Sequence, residues 1–595
     1  MALIVDKVGS APNPQFVREG WTDLTGEWSF VFDDGDVGLQ ERWFANPSAL
    51  DRTITVPYPP ESELSGIDDK SYHRISWYAR EFTPANIEDG AHTLLHFGAV
   101  DYRATLWVDG VWVGGHEGGH TPFTVDATAA LDAAGTSHTV VVRVEDDPID
   151  DQQPRGKQEW LEQPHVIWYH RTSGIWQPVW METVPAVHIT GLHWTFSRAR
   201  WSIDFEITLS ARATAGTSLQ IALEHASVDL PAVTFDVRGD RVTGSIGLGS
   251  AHGTMNWNSL VWWPHNPNLL GVTLTLAAPG APEDVVLSYV GLRTIDTSSP
   301  LFRINGKPTF LRFVLNQGYW PESQLAAPSA DALKREVELI LELGFNGARN
   351  HQKVEDPRFL YWADRLGLLL WAEMPNAFAS TELAIARHAA EWREAVLRDR
   401  NHPCVIAWVP FNESWGINDA EFTNWLQHAV KAVYHATHAL DGTRPVIGND
   451  GWEQIEGDVF TIHDYTWDAA KFTERYGTPE AVAHSLKMYF PGDRPMAVAG
   501  YSHEGKPVVI SEYGGVSYVP DAGSEWFGYG KVASEAEFLA KYENLTSALH
   551  AIPELAGFCY TQLCDTEQET NGLFDEHRVP KADLEQLRRI TRGNR

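Results

Sequence analysis

The pattern of apolar and polar residues changes in character near residue 298. Before that point, short runs such as "RATLWVDGVWVGG" and "SHTVVVRVED" alternate apolar with polar residues and are separated by Gly, Asp and Asn. Such runs are typical of β-strands joined by tight turns. Asp109-Gly110 between two apolar runs predicts a hairpin with a type I′ turn. The spacing of the runs indicates a sandwich or jelly roll over residues 1–185.

A second β-rich region follows Pro185. The runs "WSIDFEITLSAR", "SLQIALEHA" and "LLGVTLTLAA" fall within roughly 100 residues, the size of an immunoglobulin-like module. We therefore predict an immunoglobulin-like β-sandwich over residues 186–297.

After Ser298, strand-like runs alternate with helical patterns. The helix predicted after Ser329 places Leu333, Val337 and Ile340 on one face, with Gly344 at its end. Eight strand-like runs can be counted in residues 298–595: "TFLRFVLN", "FNGARN", "LLLWAEMPN", "VIAWVPFNE", "PVIGND", "VFTIHDY", "PVVISEYGG" and "LAGFCYTQL". Alternation of this kind predicts parallel strands with crossover helices, and eight units predict a closed (β/α)₈ TIM barrel.

The net charge and the amino-acid composition indicate which classes of binding partner are disfavoured. Lys and Arg number 46 and Asp and Glu 79, a formal net charge of −33 that disfavours nucleic acid and anionic membrane surfaces. The three cysteines, Cys404, Cys559 and Cys564, have no disulfide or metal-ligand spacing. The first residues lack the pattern of a signal peptide, and no run approaches the length of a membrane span. We expect a cytoplasmic protein with no nucleic-acid or membrane partner; whether it forms a homo-oligomer is left open.

Two glutamates end strand-like runs that lie opposite each other in the predicted barrel. Glu413 ends the fourth run and Glu512 the seventh, and catalytic groups of such barrels sit at the carboxyl ends of strands. A single Glu at a strand end is more often an ordinary ion-pair residue. Two at matching ends, with Asn412 beside one, indicate the pair of carboxylates that hydrolyses a glycosidic bond. We expect repulsion between them to keep one protonated near neutral pH.

Longer motifs resemble glycoside hydrolase family 2, which includes β-galactosidases, β-glucuronidases and β-mannosidases. They are "LTGEWSF", "SWYAREF", "TSGIWQPVW", "WWPHNPNL", "GFNGARNHQ", "LGLLLWAEMPN", "RNHPCVIAWVPFNES" and "VVISEYGG", and they span nearly the whole chain. The resemblance implies a retaining exo-glycosidase with Glu413 as general acid/base and Glu512 as nucleophile. It further implies that Asn412 binds the sugar hydroxyl next to the anomeric carbon.

The resemblance and the strand ends suggest further substrate-binding residues. Arg349 and Tyr465 match family residues near the nucleophile. The remaining candidates, each with ordinary packing or solvation as the alternative, are His351, His463, Trp415, Tyr560 and Glu567.

At three positions the sequence departs from the family pattern, and these departures affect which sugar the enzyme is expected to accept. Glucuronidases of the family carry Asn-x-Lys in the last barrel loop, whereas "ETNGLF" places Glu569 and Asn571 there, which argues against a uronic acid. Tyr560 stands where the family usually has Trp, and His351 is shifted relative to many galactosidases. We predict a β-galactosidase-like enzyme acting on a neutral sugar by double displacement. The alternatives are a β-D-galactofuranosidase, an α-L-arabinofuranosidase, or a non-catalytic carbohydrate-binding protein. The chemistry requires no organic cofactor, and no ligand cluster predicts a metal.

Overall fold

The N-terminal domain is a β-sandwich. The computed structural model describes residues 3–84, 90–131, 137–230, 232–249, 259–489, 491–498, 500–503, 505–518 and 529–593. In that part of the chain, one sheet has, in spatial order, the six strands Arg52–Val56, Gly26–Phe32, Ile75–Phe82, His138–Glu145, Arg103–Val108 and Val111–Glu117. The facing sheet has the strands Thr22–Asp23, Val179–Val184, His92–Phe97 and Phe123–Asp126. The predicted jelly-roll-like β architecture of this region is confirmed.

The alternation of apolar residues places them on two faces of the larger sheet. Val140 and Val142 pack in the core between the sheets, whereas Val141 packs on the outer face with Trp77 and Trp107. The predicted hairpin is also present, since Asp109 and Gly110 both have positive φ angles, of 49° and 79°, as a type I′ turn requires.

The second domain is a smaller sandwich. One sheet has the strands Ile189–Ser197, Ser202–Leu209 and Arg241–Gly247; the other has Val233–Asp236, Ser218–Glu224, Leu270–Ala277 and Asp284–Val290. Ile203, Phe205 and Ile207 point into its core, as period-two alternation demands. The boundaries after residues 185 and 297 stay predictions.

The third domain is a parallel β/α barrel. Its seven-stranded sheet runs, in spatial order, through Val405–Val409, Leu369–Glu373, Gly347–Asn350, Leu311–Asn316, Leu555–Thr561, Val508–Gly514 and Phe460–His463. The remaining predicted run, 445–450, forms only isolated parallel bridges, Trp408 to Val446 and Asn412 to Asp450. The His463 N–H donates to the Gly451 carbonyl at 3.3 Å, so this segment closes the ring between the fourth and sixth strand positions.

Helices cover the outside of the barrel. They are Ala330–Glu342, Pro357–Leu366, Glu382–Asp399, Asn424–Leu440, Ala469–Tyr476, Pro479–Met488, Glu535–His550 and Leu584–Arg592. The first begins where the sequence predicts, with the Ser329 hydroxyl accepting from the Ala332 N–H at 3.1 Å. Among the described residues, no helix is both long and apolar enough to span a membrane.

A segment of the N-terminal domain, residues 155–170, crosses the barrel at the carboxyl ends of its strands. The N–H groups of Arg155 and Gly156 donate to the Asn376 carbonyl, beyond the third barrel strand. On the other side, the Gln568 amide donates to the Trp168 carbonyl at 2.9 Å. This crossing segment therefore forms one side of the mouth in which Glu413 and Glu512 lie.

Candidate active site

Glu413 and Glu512 converge at the mouth of the barrel. Glu512 lies in the strand Val508–Gly514, and Glu413 follows the strand Val405–Val409, its N–H donating to the Asp450 carbonyl at 2.9 Å. A carboxylate oxygen of each and a ring nitrogen of His463 all lie within 4.8 Å of one another. Retaining glycosidases hold their carboxyl groups roughly 5–5.5 Å apart and inverting ones roughly 6.5–9.5 Å apart. The short separation favours retention.

Arg349 connects the nucleophile position to its surroundings. Its side chain is fully buried and donates to Glu512 Oε1 at 3.0 Å, to Asn412 Oδ1 at 3.1 Å and to Glu373 Oε1 at 2.6 Å. A third carboxylate, of Asp450, lies 2.7 Å from the same guanidinium. Burial opposes the charge, but these carboxylates raise the pKa of Arg349 well above its usual value. Arg349 thus fixes both Glu512 and the Asn412 amide.

Tyr465 holds the second oxygen of Glu512. Its hydroxyl donates to Glu512 Oε2 and lies 3.2 Å from Thr561 Oγ1. Its ring stacks on Tyr529, with centroids 3.5 Å apart. Burial and the Glu512 carboxylate raise the pKa of Tyr465 well above its usual value, so the phenol keeps its proton and stays a donor. Both oxygens of Glu512 are therefore hydrogen-bonded as those of a carboxylate.

His463 lies between the two glutamates. Its Nδ1 is 2.7 Å from Glu413 Oε1, and its Nε2 is 3.4 Å from Glu512 Oε1. Burial lowers the pKa of His463, but the Glu512, Asp450 and Glu413 carboxylates outweigh it and raise the pKa to about 10. A doubly protonated ring donates to Glu413 and places its positive charge 3.4 Å from Glu512 Oε1, so it offsets the repulsion between the two glutamates.

The proton needed for acid catalysis is consequently shared between Glu413 and His463. Burial raises the pKa of Glu413, but the hydrogen bond and charge of His463 lower it below its usual value, with smaller contributions from Lys157 and His351. This differs from the expectation that repulsion alone keeps one glutamate protonated, because His463, predicted only as a substrate-binding residue, lies between the two carboxylates. In the free enzyme the proton lies on His463, one 2.7 Å hydrogen bond from Glu413.

The sequence comparisons decide the family. Residues 295–592 match the TIM barrel domain of glycosyl hydrolases family 2, and residues 21–185 match the sugar binding domain of the same family. The chain belongs to glycoside hydrolase family 2. This family 2 enzyme is a retaining hydrolase of O-glycosyl bonds that binds carbohydrate substrates.

Relatives of the family 2 enzyme differ in the sugar that their names give. It is 28% identical to a β-galactosidase of Thermoanaerobacter pseudethanolicus over 75% of this chain but only 56% of that protein. It is 26% identical to the β-glucuronidase of Felis catus over 83% of this chain and 77% of that protein.

Solved structures share the fold at lower identity. A family 2 β-galacturonidase from Eisenbergiella tayi, bound to galacturonate, has a TM-score of 0.73 and 20% identity, covering 97% of this chain and 98% of that one. A Bifidobacterium dentium β-glucuronidase has a TM-score of 0.76 and 19% identity, covering 98% of each chain. At this identity the likeness establishes the architecture of the family 2 enzyme and not its sugar.

Two further predicted residues lie close to the glutamates. His351 is buried, with Nδ1 3.0 Å from Glu373 Oε2, and so lies behind Arg349. Trp415, two residues after Glu413, stacks on Phe378 with centroids 5.5 Å apart and meets the edge of Trp168 at 5.3 Å. Trp415 and Trp168 thus form an aromatic surface on the acid/base side.

Two other predicted residues lie elsewhere. Tyr560 is fully buried among Tyr513 and Tyr542, so it does not reach the sugar pocket; the next side chain, Thr561, does. Glu567 is bound to the His170 ring at 2.9 Å in a neighbouring cavity of about 420 Å³ between the N-terminal domain and the barrel. Neither Glu413 nor Glu512 lines that cavity.

Several site residues have no counterpart in the sequence predictions. Glu373 and Asp450 end the third and fifth strand-like runs, so the strand-end rule that found Glu413 also applies to them. Lys157 belongs to the crossing segment and contributes to lowering the pKa of Glu413. No local pattern marks Lys157, because only tertiary structure brings it to the barrel.

Two clusters in the described residues have the spacing of metal ligands. One is Glu413, His463 and Glu512, and the other is Asp364, His402 and Cys404. In the second, Asp364 already accepts from His402 Nδ1 at 2.6 Å and from the Cys404 N–H at 2.8 Å. In the first, the imidazolium form of His463 has no free lone pair for a metal. That no metal or organic cofactor assists stays a prediction.

Proposed function

We propose that this family 2 enzyme is an exo-acting β-glycosidase that releases a neutral, galactose-like sugar by double displacement. Glu512 attacks the anomeric carbon, while Glu413 gives the proton it shares with His463 to the leaving oxygen. Glu413 then takes a proton from the water that releases the sugar. The observation that supports this assignment is that a carboxylate oxygen of Glu413 and one of Glu512 lie within 4.8 Å of each other. Arg349 and Tyr465 donate hydrogen bonds to Glu512 and not to Glu413, which distinguishes the nucleophile from the acid/base.

Exo action is supported by the crossing segment. Trp168 packs against Trp415 on one side of the mouth, and Tyr169 donates to Glu569 on the other. A segment held on both sides obstructs a long chain running across the mouth. The end of a chain, by contrast, enters such a pocket.

The neutral sugar is supported by the last barrel loop. Glu569 is only 3% exposed and accepts from the Asn571 amide at 3.0 Å. Burial raises the pKa of Tyr529, and the charges of Glu413, Glu512 and Glu569 raise it further, so the charge of Glu569 reaches the pocket of the two glutamates. An added carboxylate in this position repels the carboxylate of a uronic acid.

A uronide is the second candidate, and Lys157 favours it. Lys157 is 7% exposed, and no carboxylate of the described residues lies within 4 Å of its ammonium group. Its charge reaches Glu413. Several relatives are named β-glucuronidases or β-galacturonidases. Furanosides of galactose and arabinose remain alternatives, because the same carboxylate pair serves them and the residue that lies beside Tyr465, Thr561, has a small side chain.

A panel of nitrophenyl glycosides tests the proposal. It contains β-galactopyranoside, β-galactofuranoside, α-L-arabinofuranoside, β-glucuronide and β-galacturonide, with Glu512→Gln as the inactive control. We expect the β-galactopyranoside to give the highest kcat/KM and the uronides to stay intact. Efficient cleavage of a uronide that the Lys157→Met variant loses would overturn the neutral-sugar assignment in favour of the second candidate.

A further inference from the structure

A second polar cavity lies at the opposite end of the barrel from the glutamates. It has a volume of about 220 Å³ and is lined by residues of the second domain, including Trp194 and Arg293, and by Arg400 and Arg444 of the barrel domain. Arg400 precedes the strand Val405–Val409, and Arg444 precedes the bridge residue Val446. The cavity therefore lies at the amino ends of the strands, between two domains.

The positive charges at this cavity exceed the negative ones. Arg444 is paired with Asp441 and is further held by the His402 carbonyl at 2.7 Å. Arg293 is 7% exposed, and its partners among the described residues are two backbone carbonyls, those of Pro403 at 3.0 Å and Val405 at 2.8 Å. Arg400 donates to the Leu440 carbonyl at 3.0 Å. Within the described ranges, no carboxylate lies within 4 Å of either Arg293 or Arg400.

The nearby carboxylates are already engaged. Asp441 pairs with Arg444, and Asp364 accepts from Tyr289, His402 and the Cys404 N–H. Glu206 pairs with Arg241 on the surface. Two guanidinium groups therefore lack a carboxylate in ion-pair contact: Glu206 and Asp441 act on Arg400, and Asp441 and Asp364 on Arg293, only from farther away. For Arg293, which is buried, this position is costly because no contact ion pair offsets its desolvation.

The unsatisfied hydrogen-bonding atoms at the cavity are all donors. Among the described residues that line it, the buried atoms without a partner are Trp194 Nε1 and Arg400 Nε. Trp194 is only 5% exposed, so its indole N–H has little access to bulk water. A ligand that satisfies such a site supplies acceptors and negative charge and needs no donor. Burial and the neighbouring Arg444 also lower the pKa of Arg293 to about 9, a decrease that the charges of Asp441 and Asp364 offset only in part.

We propose that this cavity is a binding site for a phosphate-like oxyanion that links the second domain to the base of the barrel. A dianion balances the two unpaired guanidinium groups, and its oxygens accept from Arg293, Arg400 and the Trp194 indole. Arginine binds such groups well because its donors are arranged in a planar fork. The volume accommodates either inorganic phosphate with water or a small phosphate monoester. The site is remote from Glu413 and Glu512, so it does not depend on the proposed sugar.

Calorimetric titration with inorganic phosphate tests the site, with sodium chloride at matched ionic strength as the blank. We expect one saturable site per chain in the wild type and in the inactive Glu512→Gln variant. Trp194→Phe keeps the ring and removes only the donor, and Arg400→Gln removes a half-buried charge. Each is expected to weaken phosphate binding at least fivefold, while kcat/KM on the best glycoside stays within twofold of wild type.

Two further measurements, a titration with a hexose phosphate and thermal unfolding in phosphate, complete the test. Titration with a hexose phosphate distinguishes the sources of the anion: tighter binding than inorganic phosphate assigns a phosphate monoester, and weaker binding assigns the free ion. Thermal unfolding in millimolar phosphate is expected to shift upward in the wild type more than in either variant. Absence of saturable binding, or equal binding by wild type, Trp194→Phe and Arg400→Gln, would overturn the proposal.

Discussion

The proton shared by His463 and Glu413 leads to a specific prediction for the variant His463→Gln. In the wild type, the pair loses its proton only as the pH rises through the pKa of His463, which is about 10. In the variant, the proton must reside on Glu413 alone. Because the pair titrates as a unit, its apparent pKa lies above that of the lone carboxyl group. The variant should therefore lose its acid catalyst at lower pH.

The size of the shift follows from the geometry. His463 Nδ1 lies 2.7 Å from Glu413 Oε1. Removing a unit charge near 4 Å in a medium of effective dielectric constant about 20 destabilises the Glu413 carboxylate by about 4 kcal/mol. The pKa of Glu413 in the variant therefore rises from its lowered wild-type value, but the proton is then held by a lone carboxyl group and no longer by His463, whose pKa is about 10. The basic limb of the pH profile should then shift to lower pH, from the pKa of His463 toward that of a lone carboxyl group.

The assay is kcat/KM for a nitrophenyl glycoside between pH 4 and pH 11, with folding checked by circular dichroism at each pH. His351→Gln is the matched control, because His351 is equally buried but contacts Glu373 and not Glu413. It should shift the basic limb much less than His463→Gln does, because His351 makes only a smaller contribution at Glu413. Basic limbs that coincide in wild type and His463→Gln would refute the shared proton.

Two further variants test the surroundings of the glutamates. Tyr465→Phe removes the hydroxyl that donates to Glu512 Oε2; a hydrogen bond to a charged group contributes about 1.5–3 kcal/mol, so kcat/KM should fall by about 10-fold to 150-fold. An unchanged kcat/KM would contradict that contact. Trp415→Ala removes aromatic surface on the acid/base side, so KM for aryl glycosides should rise severalfold with little change for alkyl glycosides. An equal rise in KM for aryl and alkyl glycosides would show that Trp415 does not contact the leaving group.

Much of the fold is readable from the sequence because local and tertiary preferences agree. Buried parallel strands read as continuous apolar runs, and seven of the eight runs form strands of the barrel sheet. The exception, 445–450, begins with Pro445, which lacks a backbone donor, and contains Gly448. This segment keeps its place in the ring through isolated bridges and not through a ladder.

The site is less predictable because side-chain direction and long-range contacts decide it. In a strand, successive side chains point to opposite faces, so an assignment that is wrong by one residue selects the wrong face. Tyr560 and Thr561 illustrate this, since the first packs outward and the second lies beside Tyr465. Lys157 lies 256 positions before Glu413 in the sequence, and only the packing of two domains brings their charges together.

The most direct test of the central claim is covalent trapping of the nucleophile. The enzyme is incubated with a 2-deoxy-2-fluoro glycoside of the preferred sugar carrying a dinitrophenyl leaving group, then digested and mapped by mass spectrometry. We predict one sugar adduct per chain, on the peptide that contains Glu512, and none in Glu512→Gln. An adduct on another residue, or continued turnover by Glu512→Gln, would contradict the assignment of Glu413 and Glu512 to a single anomeric centre.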